Sequence, residues 1–342
     1  MRIIVMGTGP FAVPASQKLL DLGHDIPLVV TRPLTDPPPK KLPPRPVFDW
    51  AEENGIELFQ PLSINTDEAI ERLKELGADL FFVCDYGQIL SSAALSAARL
   101  GGINLHGSIL PRHRGAAPVQ WALLRGDVSA GVTVIHMTPK LDAGPALAVA
   151  STLVKPDETA EELEPRLAEL GVASTVDAVD ALAGWDGASP IGTIQDRTLV
   201  TKAPRFAKAD GLLDPRLPAE YLVRLVRACQ PWPGTFTHLT WPSGKRLRVI
   251  VRAARATEEC LELSAAPVGA TSILNDADAE DGWKNTLAVR CASGVLLVGL
   301  IQPAGKRVMS ADEFSRGHAS SGVPAMECPD QDVVRLDERF PE

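Results

Sequence analysis

The sequence predicts an α/β domain built on a parallel sheet over residues 1–190 and a small β-barrel domain over residues 208–320. A linker at 191–207 joins them and a tail at 321–342 follows. Three observations lead there. A chain of 342 residues with 45% hydrophobic and 23% charged content exceeds what one compact core usually supports. Short apolar runs alternate with helical patterns through the first half, as in strand–helix–strand units. Past the linker, β-branched runs between turns replace that alternation.

The elements follow in order. Residues 2–6 (RIIVM) form an apolar strand, a glycine-rich turn comes next, and a helix runs from Phe11 to Leu22 and stops at Gly23. Apolar runs at Ile26–Val30, Ala78–Val83, Gly102–Leu105 and Val132–Met137 read as further strands. Helical segments at Val47–Asn54, Asp67–Leu76 and Ala116–Arg125 separate them, which predicts helices on both faces of the sheet. The segment Arg32–Pro46 carries seven prolines, so neither a helix nor a central strand can run through it, and it is expected as an exposed loop. A helix at Ala160–Ala183 precedes the linker. Beyond it come a helix at Ala219–Cys229 and strands at Thr235–Thr240, Leu247–Val251, Leu287–Arg290 and Val295–Ile301, which suit a barrel of the OB type. The acidic stretch Asn275–Gly282 reads as a solvated loop, and Glu327–Glu342 as a tail with little to pack.

Composition excludes several classes. No stretch approaches the apolar length of a membrane helix, and the first strand begins without a signal-peptide pattern, so a cytoplasmic protein with no membrane partner is expected. Five scattered cysteines without a C-x-x-C pair predict free thiols and no zinc site. A net charge of -9 argues against blanket binding of nucleic acid, yet residues 205–255 hold ten Lys/Arg against three Asp/Glu.

Gly7-Thr8-Gly9-Pro10-Phe11-Ala12 satisfies the dinucleotide fingerprint G-x-G-x-x-G/A directly after a strand, giving the first domain a Rossmann-like opening. The acidic residue that NAD requires is missing where the second strand ends at Thr31-Arg32. Arg32 suits the extra phosphate of NADP, which keeps an NADP-dependent oxidoreductase as the rival function. Pro10, however, occupies a position where helix amides should face a pyrophosphate, and no nicotinamide cofactor is expected.

More chemistry is concentrated in Gly102-Ile-Asn-Leu-His-Gly-Ser-Ile-Leu-Pro-Arg-His-Arg-Gly-Ala-Ala-Pro118. Asn104 and His106 lie two apart in a strand and project from one face, so both can converge on one reacting atom. Gly107 and Ser108 then break the strand at its carboxyl end, where ligands bind in open α/β sheets. Leu141-Asp142-Ala143-Gly144 supplies a carboxylate from another loop after a strand. Asn104, His106 and Asp142 together suit acyl transfer to an amine. The amide can stabilise an oxyanion, the imidazole can donate to it or relay a proton, and the carboxylate can orient the imidazole. A lone histidine would more readily be a satisfied core residue, and His24, His113, His136, His238 and His318 are read as structural or solvated. No serine or cysteine has a nucleophile-elbow context, so direct transfer is preferred.

These residues carry a resemblance. Asn104-x-His106 followed by Gly-Ser-Ile-Leu-Pro-Arg-His-Arg-Gly-Ala-Ala-Pro, with Leu-Asp142-Ala-Gly behind it, resembles the folate-dependent formyltransferases. Gln230-Pro-Trp-Pro-Gly and Leu300-Ile-Gln-Pro-Ala-Gly-Lys-Arg-Val-Met-Ser-Ala resemble the carboxyl-terminal domain of the members that act on tRNA. The resemblance spans roughly residues 1–318. It implies transfer of a formyl group from 10-formyltetrahydrofolate to the amino group of methionyl initiator tRNA, with no metal. The remaining alternative is another folate-dependent formyltransferase or hydrolase.

By this resemblance Asn104, His106 and Asp142 are the catalytic residues. The folate lies against Phe11, Val83, Tyr86, Gly87, Ile89, Leu90, Ser108, Leu110 and Pro111, with Gly7 and Thr8 in the same cleft. The tRNA is held by Lys40, Lys41 and Arg45 of the proline-rich loop, by Arg112 and Arg114, and by Lys245, Arg246, Arg248, Lys306 and Arg307 of the second domain. Arg252 and Arg255 add to that basic face, and such cations neutralise phosphates without reading sequence. The chain departs from the family where Asp36-Pro-Pro-Pro39 stands in place of a glycine-flanked arginine, where Asp85 replaces a small neutral residue, and where Pro145 stands at a position commonly held by aspartate.

Overall fold

Five consecutive buried residues, Ile3–Gly7, make β1, and burial on both faces marks it as a central strand. The computed structural model describes residues 1–34, 43–275, 283, 285–318, 321–329 and 334–340. After β1 the chain makes a short turn at Pro10–Ala12 and enters α1 (Val13–Asp21), beyond which Gly23 turns away at φ +81°. Then follow β2 (Leu28–Val30), α2 (Pro46–Glu53), β3 (Glu57–Phe59), α3 (Asp67–Glu75), β4 (Leu80–Cys84) and α4 (Ser92–Leu95). β5 (Gly102–His106), α5 (Pro118–Arg125), β6 (Ser129–His136), β7 (Ala146–Leu153) and α6 (Ala160–Ala183) complete the unit.

The sheet order is β3-β2-β1-β4-β5-β6-β7. Its first five strands are parallel, whereas β6 runs antiparallel to β5, and β7 antiparallel to β6. The sheet is therefore mixed, a refinement of the parallel sheet that alternation predicts. Apolar periodicity marks a strand but not its direction, and the small residues of β7 give a weak β signal. Helix α6 begins with a capping box, in which the Thr159 amide donates to the Glu162 carboxylate at 2.9 Å. It reaches β5 at Gly171, where a Cβ would come within 2.9 Å of the Leu105 side chain. Glycine there lets the helix backbone settle against the strand that carries Asn104 and His106.

The second unit comprises α7 (Ala219–Ala228), β8 (Thr235–Thr240), β9 (Arg246–Thr257), β10 (Thr271–Asn275), β11 (Asn285–Arg290), β12 (Val295–Pro303), β13 (Met309–Ser310), α8 (Ala311–Gly317) and β14 (Ala325–Met326). A short α9 (Leu336–Arg339) follows. The antiparallel sheet runs β10-β11-β12-β9-β8-β14, with β13 on β12, and is curled. Its two ends meet where the Met326 amide donates to the Gly269 carbonyl at 2.8 Å, just ahead of β10. Gly269 has φ +88°, and a Cβ there would lie 2.5 Å from the Met326 oxygen, so this seam requires glycine. Joining the ends leaves less free strand edge to recruit another chain. Residues 276–282 of the acidic stretch lie outside the described residues.

The linker and the tail pack more closely than their composition suggests. The Trp121 indole donates to the Pro204 carbonyl at 2.7 Å, and its ring meets Phe206 at 5.5 Å and Phe340 at 5.7 Å. Arg125 donates to the Phe340 carbonyl at 2.6 Å, while the Leu336 amide donates to the Tyr221 hydroxyl at 2.9 Å. Leu336 is buried. The expectation of a tail with little to pack is thus corrected: two apolar anchors in a polar segment hold it against both units. Among the described residues no helix is long and apolar enough to cross a membrane.

Candidate active site

A cleft of about 540 Å³ lies over the strand ends at Thr8, Val83 and His106. It falls where the strand order turns back on either side of β1, the usual ligand position in open α/β sheets. Phe11, Val83, Tyr86, Gly87, Ile89 and Leu90 line it together with Asn104, His106 and Asp142. The Asn104 amide nitrogen lies 3.5 Å from one Asp142 oxygen, and His106 Nδ1 lies 3.8 Å from the same oxygen. Side chains two apart on β5 thereby meet a carboxylate from a distant loop.

The imidazole of His106 is held in one orientation. Its Nε2 lies 2.9 Å from the His113 carbonyl, which can only accept, so Nε2 carries a hydrogen and Nδ1 faces Asp142. His113 is itself buried, at φ +60°. Its Nε2 pairs with Asp127 at 2.6 Å, and its amide donates to the Thr201 hydroxyl at 2.8 Å. The residue that the sequence suggests is merely structural or solvated is therefore buried, and it fixes the carbonyl against which His106 rests.

Asp142 reaches the cleft by an indirect path. Because β6 is antiparallel to β5, with Ile103 opposite His136 and His106 opposite Thr133, the chain leaves β6 at the far end of β5 and must fold back. Gly144 makes the return possible, since a Cβ there would lie 1.8 Å from the His136 carbonyl oxygen. Gln195 of the linker holds the loop, donating to the carbonyls of Asp142 at 2.9 Å and Gly144 at 2.7 Å. Arg114 in turn donates to the Gln195 oxygen at 2.6 Å and 3.2 Å. The second Asp142 oxygen accepts the Gly115 amide at 2.9 Å. Gly115 sits at φ +135°, and a Cβ there would meet the Ala203 oxygen at 2.5 Å.

The hydroxyls of Thr8 and Tyr86 are buried without a hydrogen-bond partner among the described residues, and burial pushes the Tyr86 phenol up to about 12. Both residues line the cleft. Asp85, at φ +51°, and Glu164 of α6 line it too. Asp85 keeps solvent contact through the cleft, yet the protein crowding it pushes its carboxyl above the usual range, while His106 and Arg205 pull it down. Glu164 is also raised, first by burial and then by the Asp85 charge. Ser108, Leu110 and Pro111, expected at the folate, are not among the lining residues. The Ser108 hydroxyl donates to the Arg112 carbonyl at 2.6 Å and the Leu110 amide to Thr133 at 3.0 Å, so this turn is tied inward.

The expected cations are spread and mostly engaged. Lys40 and Lys41 lie outside the described residues. Arg45 stacks on Phe48 at 3.5 Å, and Arg112 pairs with Asp127 at 3.2 Å. Arg114 is committed to Gln195, which makes it a support of the cleft. Alternation along β9 puts Arg246, Arg248 and Arg252 on its outward side. Arg246 is paired with Glu327 at 2.7 Å, Arg307 with Glu313 at 2.8 Å and Arg255 with Asp157 at 2.9 Å. Arg248 lies over Phe236 at 4.2 Å, Arg252 donates to Gln302 at 3.1 Å, Lys245 lies over Trp241 at 4.9 Å, and Lys306 is exposed. The face is less positive than its arginine count suggests. Among the described residues no group of His, Cys, Asp or Glu is placed to hold a metal.

Residues 1–179 match the family model for formyl transferase, and residues 205–319 that for formyl transferase, C-terminal domain. The methionyl-tRNA formyltransferase of Rhodopirellula baltica is 46% identical over 329 residues, covering 93% of this chain and 94% of its own. That of Methylococcus capsulatus is 39% identical over 325 residues, covering 94% and 98%. Among solved structures, WlaRD, a sugar 3N-formyl transferase crystallised in the presence of dTDP and 5-N-formyl-THF, matches with TM-score 0.60 and 14% identity over 90% of this chain and 99% of its own. HypX from Aquifex aeolicus in complex with tetrahydrofolic acid matches with TM-score 0.57 and 15% identity over 94% and 48%. The likeness to these structures is one of fold.

Proposed function

The chain belongs to the formyl transferase family, and from that premise we propose that it transfers the formyl group of 10-formyltetrahydrofolate to the amino group of methionyl initiator tRNA. The observation that carries this reading is the meeting of the Asn104 amide, the His106 imidazole and the Asp142 carboxylate within 3.8 Å at one wall of the cleft.

Asn104, His106 and Asp142 are the catalytic residues. The neutral amine attacks the formyl carbon, and a new C–N bond forms as the carbonyl oxygen becomes an oxyanion. Asn104 donates to that oxygen, a contribution typically of about 3–4 kcal/mol for one such donor. Nδ1 of His106 takes the proton that the amine loses, and the resulting imidazolium, its charge balanced by Asp142, donates to the same oxygen. The bond from carbon to the folate N10 then breaks, and the proton lost by the amine passes through His106 and Asp142 to N10. The folate rests on Phe11, Val83, Tyr86, Gly87, Ile89 and Leu90, with the Thr8 and Tyr86 hydroxyls available to its polar atoms. The tRNA backbone follows the cations of the second domain, of which Lys245, Arg248 and Lys306 have no acidic partner among the described residues.

The decisive experiment supplies 10-formyltetrahydrofolate and compares charged initiator methionyl-tRNA, elongator methionyl-tRNA and no acceptor. Formylation confined to the initiator is expected. Formyl release without an acceptor would indicate a hydrolase, and no consumption of the folate would defeat the proposal and return attention to NADP.

A further inference from the structure

Beside the main cleft lies a second recess of about 290 Å³, lined by Ala116, Ala117, Gln120, Arg205, Phe206 and Trp232. Ala116, Gln120 and Arg205 line the main cleft as well, so the two spaces adjoin. We infer that this recess takes the terminal adenine of the tRNA, stacked on Trp232, with Arg205 at the adjoining phosphate. The inference rests on the function proposed above and adds a subsite to it.

Trp232 is 48% exposed, and among the described residues it is the only aromatic in the group of exposed large hydrophobic side chains. A large ring left open beside a substrate cleft suits a flat partner, and nucleobases stack on such rings whatever their identity. Arg205 is exposed and forms no hydrogen bond or ion pair among the described residues, although Asp85 feels its charge. The Gln120 amide is also without a partner among them. Distance favours the terminal base in particular. In an aminoacyl-tRNA only a few covalent bonds separate the reacting amine from the adenine, through the ester and the ribose. An amine held at Asn104 and His106 therefore brings the base to a neighbouring space, and the recess shares three lining residues with the cleft.

The test uses the full chain and two small acceptors, the methionyl ester of adenosine and the same ester of a ribose lacking the base, run beside charged methionyl-tRNA. Stacking of one base corresponds to about 1–3 kcal/mol, or about 5- to 150-fold in kcat/KM. The wild type should prefer the adenosine ester by that factor. Trp232→Ala should abolish the preference and raise KM for methionyl-tRNA, while Trp232→Phe should retain most of both. Equal use of the two esters by the wild type overturns the inference, as does an undiminished preference in Trp232→Ala. If the charged tRNA itself is not formylated, the proposed function falls and takes the subsite with it; if it is formylated while the esters are used equally, only the subsite is lost.

Discussion

Replacing Asp142 by Asn removes one charge and almost no volume, and its effect can be worked from the site. Both partners are nearly enclosed, with His106 6% and Asp142 7% exposed at the side chain, and Nδ1 stands 3.8 Å from the carboxylate. At that separation and an effective dielectric constant of about 20, the attraction between imidazolium and carboxylate is about 4 kcal/mol. A transition state in which His106 carries the travelling proton loses that support in Asp142→Asn, which corresponds to about 10³-fold in kcat. The amide oxygen can still accept from Gly115, so the loop should stay in place. The amide nitrogen then faces that of Asn104, donor against donor, where the present separation is 3.5 Å. Single-turnover formylation at saturating folate and tRNA measures the loss, and circular dichroism with thermal melting checks the fold. A folded variant whose kcat stays within about threefold of wild type would refute the charge-balance argument.

Gln195→Ala removes two hydrogen bonds to the Asp142 loop, and each such bond contributes about 1 kcal/mol net. A fall in kcat larger than the rise in KM is expected, and unchanged kinetics would show that the loop stands without it. Asp85→Asn tests the raised carboxyl: its ionised form is disfavoured in the folded state, so wild-type stability is kept below the ordinary value of 3.8 and is lost as pH rises through the elevated one. The melting temperature of the variant relative to wild type should therefore be higher at about pH 8 than at about pH 4, and an equal difference at both would count against the assignment. Leu336→Ala should cost about 2–4 kcal/mol in urea denaturation if the tail is part of the core, whereas an idle tail predicts no change.

Much of the cleft was legible because strand alternation is a local rule. Asn104 and His106 share a face by spacing alone, and the loops at Gly7 and Asp142 carry their own turn residues. The direction of β6 was not legible, since apolar runs read the same both ways, and with it went the doubling back of the Asp142 loop and the need for Gln195. The anchoring role of His113, read only as structural or solvated, was not legible either: its partners Asp127 and Thr201 lie 14 and 88 positions away. The ion pairs that discharge the basic face are equally remote, Arg246 and Glu327 being 81 positions apart. Ser108, Leu110 and Pro111 belong to the same motif as the cleft residues, but a motif does not tell which of its side chains face inward.

The linker has a consequence for how this chain can vary over evolutionary time. Ile194 is 86% exposed and Leu199 57% exposed, so drift at these positions meets little resistance. Gln195, Thr201, Ala203 and Pro204 alternate with such positions and each answers to a group in the first unit: the Asp142 loop, His113, Gly115 and Trp121. A stretch that looks like punctuation thus has the mutational tolerance of a core strand at these four positions, and insertions within it should be far rarer among descendants than substitutions at its exposed sites.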